Sequence, residues 1–516
     1  MSGTSGLRAP RGRSFYLSRP RWLVHKLRRA LAERRARPAY RAALERGTFL
    51  FEPPAPPIEA LISIVMPVHR VEERHLRAAI SSVRGQSHAA WELLLLDDAS
   101  PDAHVARVLA EVAREDGRIR VFRRASTGGI AVASNQLLAE VRGGYTAFLD
   151  HDDTLHPRAL ELVARALAAW PDTDWLFSDE DVVDEDGRHR EPRLKPGWSH
   201  HLLLAFNYVA HLRVVRTETL RRVGGHREGF DGAQDWDLAL RILAAGGRFR
   251  HLPGVLYHWR RVPGSMARAA AAKPEAHARA LLALTDHLRG FPGGGEVDAR
   301  VLLEPASLFR VRRAAAPGMT LAALVPPETM PRPLACETVT VDPFPPSAEA
   351  AIAAARRTSA DVIAVMPPAW PRPEQLTELL ALLAVPGTAV VAARQVGRRR
   401  VACSGWLRDA RGRAWDPWAG LSADDPGYLN LALVPGPRQA PPPIGWLARR
   451  SDLLEAWEAA ADEPGPWRLP IGFARLGREV VTTPTVSLQA VHSGLPPAPP
   501  ADLPALQTDW LELIGA

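Results

Sequence analysis

Ala147-Phe-Leu-Asp150-His-Asp152-Asp153 is an apolar run that ends in three carboxylates. Strands of soluble proteins usually stop at Gly, Asn or Pro, and crowding acids there costs repulsion that something must offset. A divalent cation carrying a phosphorylated ligand is one offset, because hard cations take oxygen ligands and bridge to phosphate oxygens. An acidic helix N-terminus is the other. Pro157 followed by Leu160, Val163, Leu167 and Trp170 opens an amphipathic helix, and its start favours nearby anions. The stretch does not choose between them; its neighbours do.

Upstream, Ile62-Ser-Ile-Val-Met-Pro67 reads as a buried strand that stops at its proline. Leu76, Ile80 and Val83 follow at helical spacing, and Trp91-Glu-Leu-Leu-Leu-Leu96 is a second buried strand running into Asp97-Asp98-Ala-Ser-Pro-Asp102. A third strand, Ile119-Arg-Val-Phe122, leads to Ser126-Thr-Gly-Gly-Ile130, where the Gly pair by itself reads as a turn. Alternating strands and helices with acids at strand ends predict an α/β fold with a parallel sheet. Ligands of such sheets bind beyond the carboxyl ends of the strands. There Asp98 and the Asp150–Asp153 group would meet.

These residues resemble the family 2 glycosyltransferases. The resemblance is carried by Ile62-Ser-Ile-Val-Met-Pro-Val-His69, Leu95-Leu-Asp-Asp-Ala-Ser-Pro-Asp102, Gly128-Gly-Ile130 and Phe148-Leu-Asp-His-Asp-Asp153. It continues through Ser178-Asp-Glu-Asp181, Lys195-Pro-Gly-Trp198, Asn207-Tyr208, Val223-Gly-Gly225, Phe230-Asp-Gly-Ala-Gln-Asp-Trp-Asp237 and Tyr257-His-Trp-Arg260. It spans roughly residues 58 to 290 and is similar to bacterial enzymes that build cell-surface polysaccharides. The family implies inversion at the anomeric carbon and the GT-A fold, a mostly parallel, Rossmann-like sheet with helices on both faces.

The resemblance also implies roles. Asp98 would accept a hydrogen bond from the donor's base, with Pro67, His69 and Gly129 beside it. Asp150 and Asp152 would hold Mg²⁺ or Mn²⁺ against the donor diphosphate, with His258 completing the site and Asp153 supporting it. Asp235 matches the base that takes the acceptor's proton, work a positioned carboxylate can do; read from the residues alone, it is also a good helix cap. Asp179, Glu180, Asp181, Asp237 and Arg260 would face the acceptor or brace the first set. Lys195 reads either as a phosphate contact or as an ion-pair partner. The Gln-x-x-Arg-Trp element of processive synthases is absent, which favours single additions.

Two rival readings share some of these features. A sugar nucleotidyltransferase would use acids and a metal on a similar sheet, but Val68-His-Arg-Val-Glu-Glu73 after the first strand has no glycine for a phosphate loop. A non-catalytic assembly factor would tolerate loss of the acids, yet the first half keeps them.

The remainder of the chain sets bounds. Its 516 residues suffice for two or three compact units. Cys336 and Cys403 give no disulfide framework, which fits a reducing compartment. The expected location is cytoplasmic, peripheral at the inner membrane face. Residues 1–50 hold thirteen Lys/Arg against two Glu, a net of +11, so the remainder of a +8 chain carries −3. The basic character thus belongs to one segment and not to a nucleic-acid-binding surface. Within residues 11–47, Trp22, Leu23, Leu27 and Leu31 lie near helical spacing among arginines, which suits an anionic membrane surface. Pro53-Pro-Ala-Pro-Pro57 follows as a stiff spacer.

The expected division is a basic segment and linker at 1–57, a catalytic domain at 58–300, a degenerate glycosyltransferase-like domain at 301–495, and a Pro-rich tail at 496–516. In the second domain, Ala360-Asp-Val-Ile-Ala-Val-Met366 parallels Gly144-Tyr-Thr-Ala-Phe-Leu-Asp150. Met366-Pro-Pro368 then stands where metal carboxylates would be, and Pro470-Ile-Gly-Phe-Ala-Arg-Leu476 offers no catalytic acid. Asp424-Asp-Pro-Gly-Tyr428, Trp446-Leu-Ala-Arg-Arg450 and His492 also resemble tandem members of the family. A sugar from a nucleoside diphosphate donor would pass to a glycan or lipid-linked glycan acceptor.

Overall fold

Ile62–Val68 forms β1, and its position in the middle of a sheet explains its apolar composition. The computed structural model describes residues 34–35, 37–47, 50–261, 274–290, 295–298, 308–313, 318–326, 337–340, 345–366, 371–397, 400–408, 414–416, 418–419, 435–442, 444–463 and 467–489. The apolar face expected from Trp22 to Leu31, the acids Asp424 and Asp425, Pro367, Pro368, His492 and the tail lie outside the described residues.

β1 pairs in parallel with β2 (Trp91–Asp97) and, on its other side, with β4 (Tyr145–Phe148); β2 pairs in parallel with β3 (Ile119–Arg123). Helices Glu73–Arg84, Ala103–Glu115 and Ile130–Glu140 connect them. β2 is buried on both faces, so Leu93 and Leu95 join one core while Leu94 and Leu96 join the other. β1 runs through Pro67 instead of stopping there. Its pairing with β4 ends at Val65, so on that side no neighbour misses the proline's absent N–H.

Next come β5 (Thr154–Leu155), β6 (Trp175–Val183), β7 (His189–Arg193), β8 (Arg213–Arg216) and β9 (Phe249–Arg260). The sheet order is β3-β2-β1-β4-β8-β6-β9-β5, with β7 folded onto β6. β8 runs antiparallel to both β4 and β6, and β9 runs parallel to β6. The carboxyl ends of β1, β2, β4, β6 and β9 therefore share one edge, and β8 starts there. All the acids singled out in the sequence except Asp235 and Asp237 lie at or just beyond those strand ends.

A hairpin of β10 (Glu296–Asp298) and β11 (Arg310–Arg312) precedes a second sheet. That sheet is built from β12 (Leu321–Val325), β13 (Glu337–Thr340), β14 (Val362–Val365), β15 (Thr388–Gly397) and β16 (Arg400–Cys403). After the small pair β17 (Leu407–Arg408) and β18 (Ala414–Trp415) come β19 (Gly436–Arg438), β20 (Trp446–Arg449) and β21 (Glu479–Gln489). The order β13-β12-β14-β20-β15-β21 repeats β2-β1-β4-β8-β6-β9 strand for strand and direction for direction. β16 turns back on β15 as β7 does on β6.

The registers align the two sheets residue by residue. Arg213 lies across from Phe148 and Phe177; in the repeat, Trp446 lies across from Val365 and Ala392. The acids that follow Phe177 are then matched by Ala393-Arg-Gln-Val396 after Ala392. Helix Arg468–Arg475, in the place of helix Gln234–Ala244, carries no carboxylate.

The two sheets meet through His201 Nε2, 2.8 Å from Thr388 Oγ1, and through Ser199, whose hydroxyl donates to the Glu479 carboxylate. Burial pushes Glu479 up to about 8 against the opposing Ser199 bond. A carboxyl raised in the folded state holds its proton where the unfolded chain has lost it. Its contribution to stability is therefore full below the unfolded value and fades as pH rises towards 8. Each pH unit in that window weakens folding by about 1.4 kcal/mol. The melting temperature should fall by several degrees from pH 5 to pH 8, and Glu479→Gln should flatten that slope; an unchanged slope in the variant would place the titration elsewhere.

Candidate active site

The loops beyond the shared sheet edge are tied to one another by the residues the sequence picked out. Asp98 accepts hydrogen bonds from the Gly128 amide at 2.9 Å and the Gly129 amide at 3.0 Å, and Arg124 Nε lies 3.1 Å from its Oδ1. It thereby fixes the end of β2 to the turn that opens helix Ile130–Glu140. Gly129 has φ +85, and a Cβ there would come within 2.7 Å of Asp231 Oδ2, so the position needs glycine. Asp231 in turn accepts from the Ala131 amide at 3.1 Å. His69 Nδ1 donates to the Asp98 carbonyl at 3.0 Å, and His151 Nδ1 to the Pro67 carbonyl at 3.1 Å. Pro67, His69, Asp98 and Gly129 thus form one patch.

The three acids after β4 are not equivalent. Asp153 is fully buried, accepting from Tyr257 Oη and from the Arg260 amide, both at 2.6 Å. Burial pushes its carboxyl well above the usual range, with Asp152 and Asp150 adding to the shift. Arg260 Nε donates to the Asp152 carbonyl at 2.8 Å, so Asp153 and Arg260 brace the turn. Asp152 is also raised, chiefly by burial, with His151 opposing and Asp150 adding. Among the described residues no other residue donates a hydrogen bond to the Asp150 or Asp152 side chain. Asp150, 39% exposed, lines the cleft. Two neighbouring carboxylates to which no other described residue donates are a fitting pair of oxygen ligands for a divalent cation.

On β6, each successive acid holds a histidine. Asp179 is fully buried, accepts from His251 Nε2 at 2.8 Å and from the amides of Lys195 and Gly254, and so holds backbone in place instead of facing an acceptor. Glu180 lies 3.2 Å from His211 Nδ1, 3.2 Å from Lys195 Nζ and 3.1 Å from Arg193 Nη1. Burial opposes its ionisation, but Lys195 and His211 outweigh that and hold it well below the usual carboxylate range. Lys195 is accordingly a buried ion-pair partner and not a phosphate contact. Asp181 accepts from His258 Nδ1 at 2.7 Å, His189 Nδ1 at 2.8 Å and Tyr40 Oη at 2.7 Å. Burial pushes it up, yet the two histidines pull it down to about 2. His258, expected beside Asp150 and Asp152, is thus engaged by Asp181. Asp181, His189 and His258 offer ligand atoms within 4.8 Å of one another. Their present spacings are those of hydrogen bonds.

Asp235 is the second residue of helix Gln234–Ala244, whose cap is Ala233, so it does not cap the helix as its residue type suggested. Arg213 Nη2 lies 2.8 Å from Asp235 Oδ1. The pair is an ion pair whose geometry is not that of a hydrogen bond, and that oxygen is buried. Arg213 is itself buried, with its guanidinium 4.6 Å from the centre of the Phe148 ring. Asp237 is buried between Arg227 and Arg241, a structural ion network away from the cleft wall.

Asp150, Glu180, His211, Asp231, Asp235 and Trp259 all line one cleft of about 760 Å³. That volume is within the range of small-molecule sites. His211, Arg213 and Asp231 were not singled out in the sequence. Asp231 lies inside a motif already quoted, whereas the other two carry no local signal beyond a histidine and an arginine at the start of a strand.

Residues 63–224 match the family model described as glycosyl transferase family 2. The chain is similar to the uncharacterized protein y4gI of Sinorhizobium fredii, 44% identical over 44% of this chain and 25% of that protein. It is also similar to the O-antigen biosynthesis protein RfbC of Myxococcus xanthus, 43% identical over 49% of this chain and 20% of that protein. The matched stretches thus span a quarter or less of these relatives. Among solved structures, S. aureus TarS 1–349 in complex with UDP-GlcNAc is similar at a TM-score of 0.38 and 18% identity, over 44% of this chain and 66% of that one.

Proposed function

From the match of residues 63–224 to the glycosyl transferase family 2 model, we propose that the first domain is an inverting glycosyltransferase of that family. It takes a sugar from a nucleoside diphosphate donor and adds it to a glycan or lipid-linked glycan of the cell surface. The observation that carries this reading is the shared cleft: Asp150, a cation ligand by chemistry, and Asp235, a carboxylate held by Arg213, line the same cavity. The name of the Myxococcus relative supports a surface polysaccharide as the product's class.

In this reading the acceptor hydroxyl attacks the anomeric carbon from the side opposite the diphosphate. Its proton passes to Asp235, and the bond to the diphosphate breaks with the electron pair leaving on the nucleotide. Arg213 fixes the direction of the Asp235 carboxylate. Asp150 and Asp152 would hold Mg²⁺ or Mn²⁺, which neutralises charge developing on the leaving group. Pro67, His69, Asp98 and Gly129 form the wall for the base and ribose. Asp153 and Arg260 keep the acidic turn in place.

The proposal extends to the other segments. The second domain is a repeat of the first that has lost catalysis, since its strand order is retained while Arg394, Gln395 and Trp446 stand where acids and Arg213 would be. The basic N-terminal segment would bring the enzyme to an anionic membrane surface. No described helix is long and apolar enough to cross a membrane.

A panel of nucleoside diphosphate sugars, screened by thermal shift with and without Mn²⁺, tests the donor assignment. Ligands of the folded state raise its melting temperature by mass action. One donor should give a metal-dependent rise of several degrees. No shift with any donor would count against a donor site in the first domain.

A further inference from the structure

We propose that His211 is the nitrogen ligand of the cation site in the cleft, held in place by Glu180 and facing Asp150. The inference rests on the reading of Asp150 as a cation ligand and assigns a residue to the position first expected for His258. Among the described residues, His211 is the histidine that lines the cleft. His258 and His189 turn Nδ1 to Asp181 and His251 turns Nε2 to Asp179, and none of these three lines the cleft.

The His211 ring is held from several sides. It stacks on Tyr257 at 4.8 Å and 24°, lies 5.9 Å from Trp259, and its own carbonyl accepts from Lys195 Nζ at 2.5 Å. Nδ1 is 3.2 Å from Glu180 Oε2, and an ionised carboxylate only accepts, so Nδ1 carries the proton. That tautomer leaves a lone pair on Nε2, the arrangement in which a carboxylate orients a metal-binding histidine from behind. Nε2 then faces Asp150 Oδ2 across 4.0 Å. The gap is too wide for a hydrogen bond, and two lone pairs pointing at each other repel. Two metal–ligand bonds of about 2.1 Å each span it with a modest bend. A nitrogen among oxygen donors also favours a transition ion such as Mn²⁺ over Mg²⁺.

The test uses the full chain with UDP and Mn²⁺, read by pulsed electron paramagnetic resonance for nitrogen coupled to the bound ion, alongside Mn²⁺ titration. Wild type and His258→Gln should show a directly coordinated imidazole nitrogen, and His211→Gln should not. His211→Gln should also raise the Mn²⁺ dissociation constant about 10- to 100-fold and narrow the preference for Mn²⁺ over Mg²⁺. Loss of the coupling in His258→Gln, or bound Mn²⁺ without nitrogen coupling in wild type, overturns the assignment while leaving the Asp150 reading intact. Failure of wild type to bind Mn²⁺ even with UDP overturns both. Should His211→Gln not fold, the spectra of wild type and His258→Gln still decide between the two histidines.

Discussion

Asp235→Asn should lower kcat by about three orders of magnitude, within the ~10²–10⁴ range that general acid–base groups supply, while donor binding stays near wild type. The substitution preserves shape and removes the negative charge together with the capacity to take a proton. It also leaves Arg213, buried against Phe148, without its anionic partner. A buried charge that loses its partner destabilises the fold, but the Phe148 face and the asparagine oxygen both offset part of the loss. The melting temperature should therefore drop by only a few degrees. Two readouts separate the causes. If the rate loss came from a collapsed cleft, the donor-induced thermal shift would vanish with it; if Asp235 is the base, that shift persists. Activity within tenfold of wild type would refute the assignment.

Much of the site was legible because it sits at the ends of strands buried on both faces. Such strands read as nearly continuous apolar runs, Ile64–Val68 and Leu93–Leu96 among them, and an acid directly after one is conspicuous. What the sequence could not reveal depends on pairing across the sheet. Ala210-His-Leu-Arg213 looks like an ordinary surface stretch. Only the insertion of β8, antiparallel between β4 and β6, carries Arg213 to Asp235 and His211 to the acids at the shared edge. In the same way Asp179, Glu180 and Asp181 look alike in the chain but sit in different environments. Register shifts at Ser178, Asp179 and Glu180 bend the strand, and Glu180, unlike its two neighbours, reaches the cleft. The second domain was legible in its strand order. Its replacements at individual positions, such as Trp446 for Arg213, needed the two registers side by side.

Asp150→Ala should abolish the metal-dependent part of donor binding and at the same time leave the metal-free protein as stable as wild type or more so. The second half of that expectation follows from the turn's electrostatics. The Asp150 charge contributes to raising both Asp152 and Asp153. A carboxyl raised in the fold stabilises it below the unfolded value and loses that contribution as pH climbs through the folded one. At neutral pH the crowded acids therefore cost stability, and removing Asp150 relieves part of the cost. Mn²⁺ with UDP should reverse the ranking. At a hundredfold excess over its dissociation constant a ligand adds about 2.7 kcal/mol to the folded state, several degrees for a domain of this size, and the variant should forgo that gain. A solvated acidic turn with no ligand would behave otherwise: both proteins would melt alike with and without Mn²⁺ and UDP. Asp153→Ala provides the contrast, because it strips partners from Tyr257 and the Arg260 amide in a buried setting. It should destabilise the metal-free protein outright, by about 1–3 kcal/mol. Opposite signs at two neighbouring aspartates would separate the acid that serves the ligand from the acid that holds the turn.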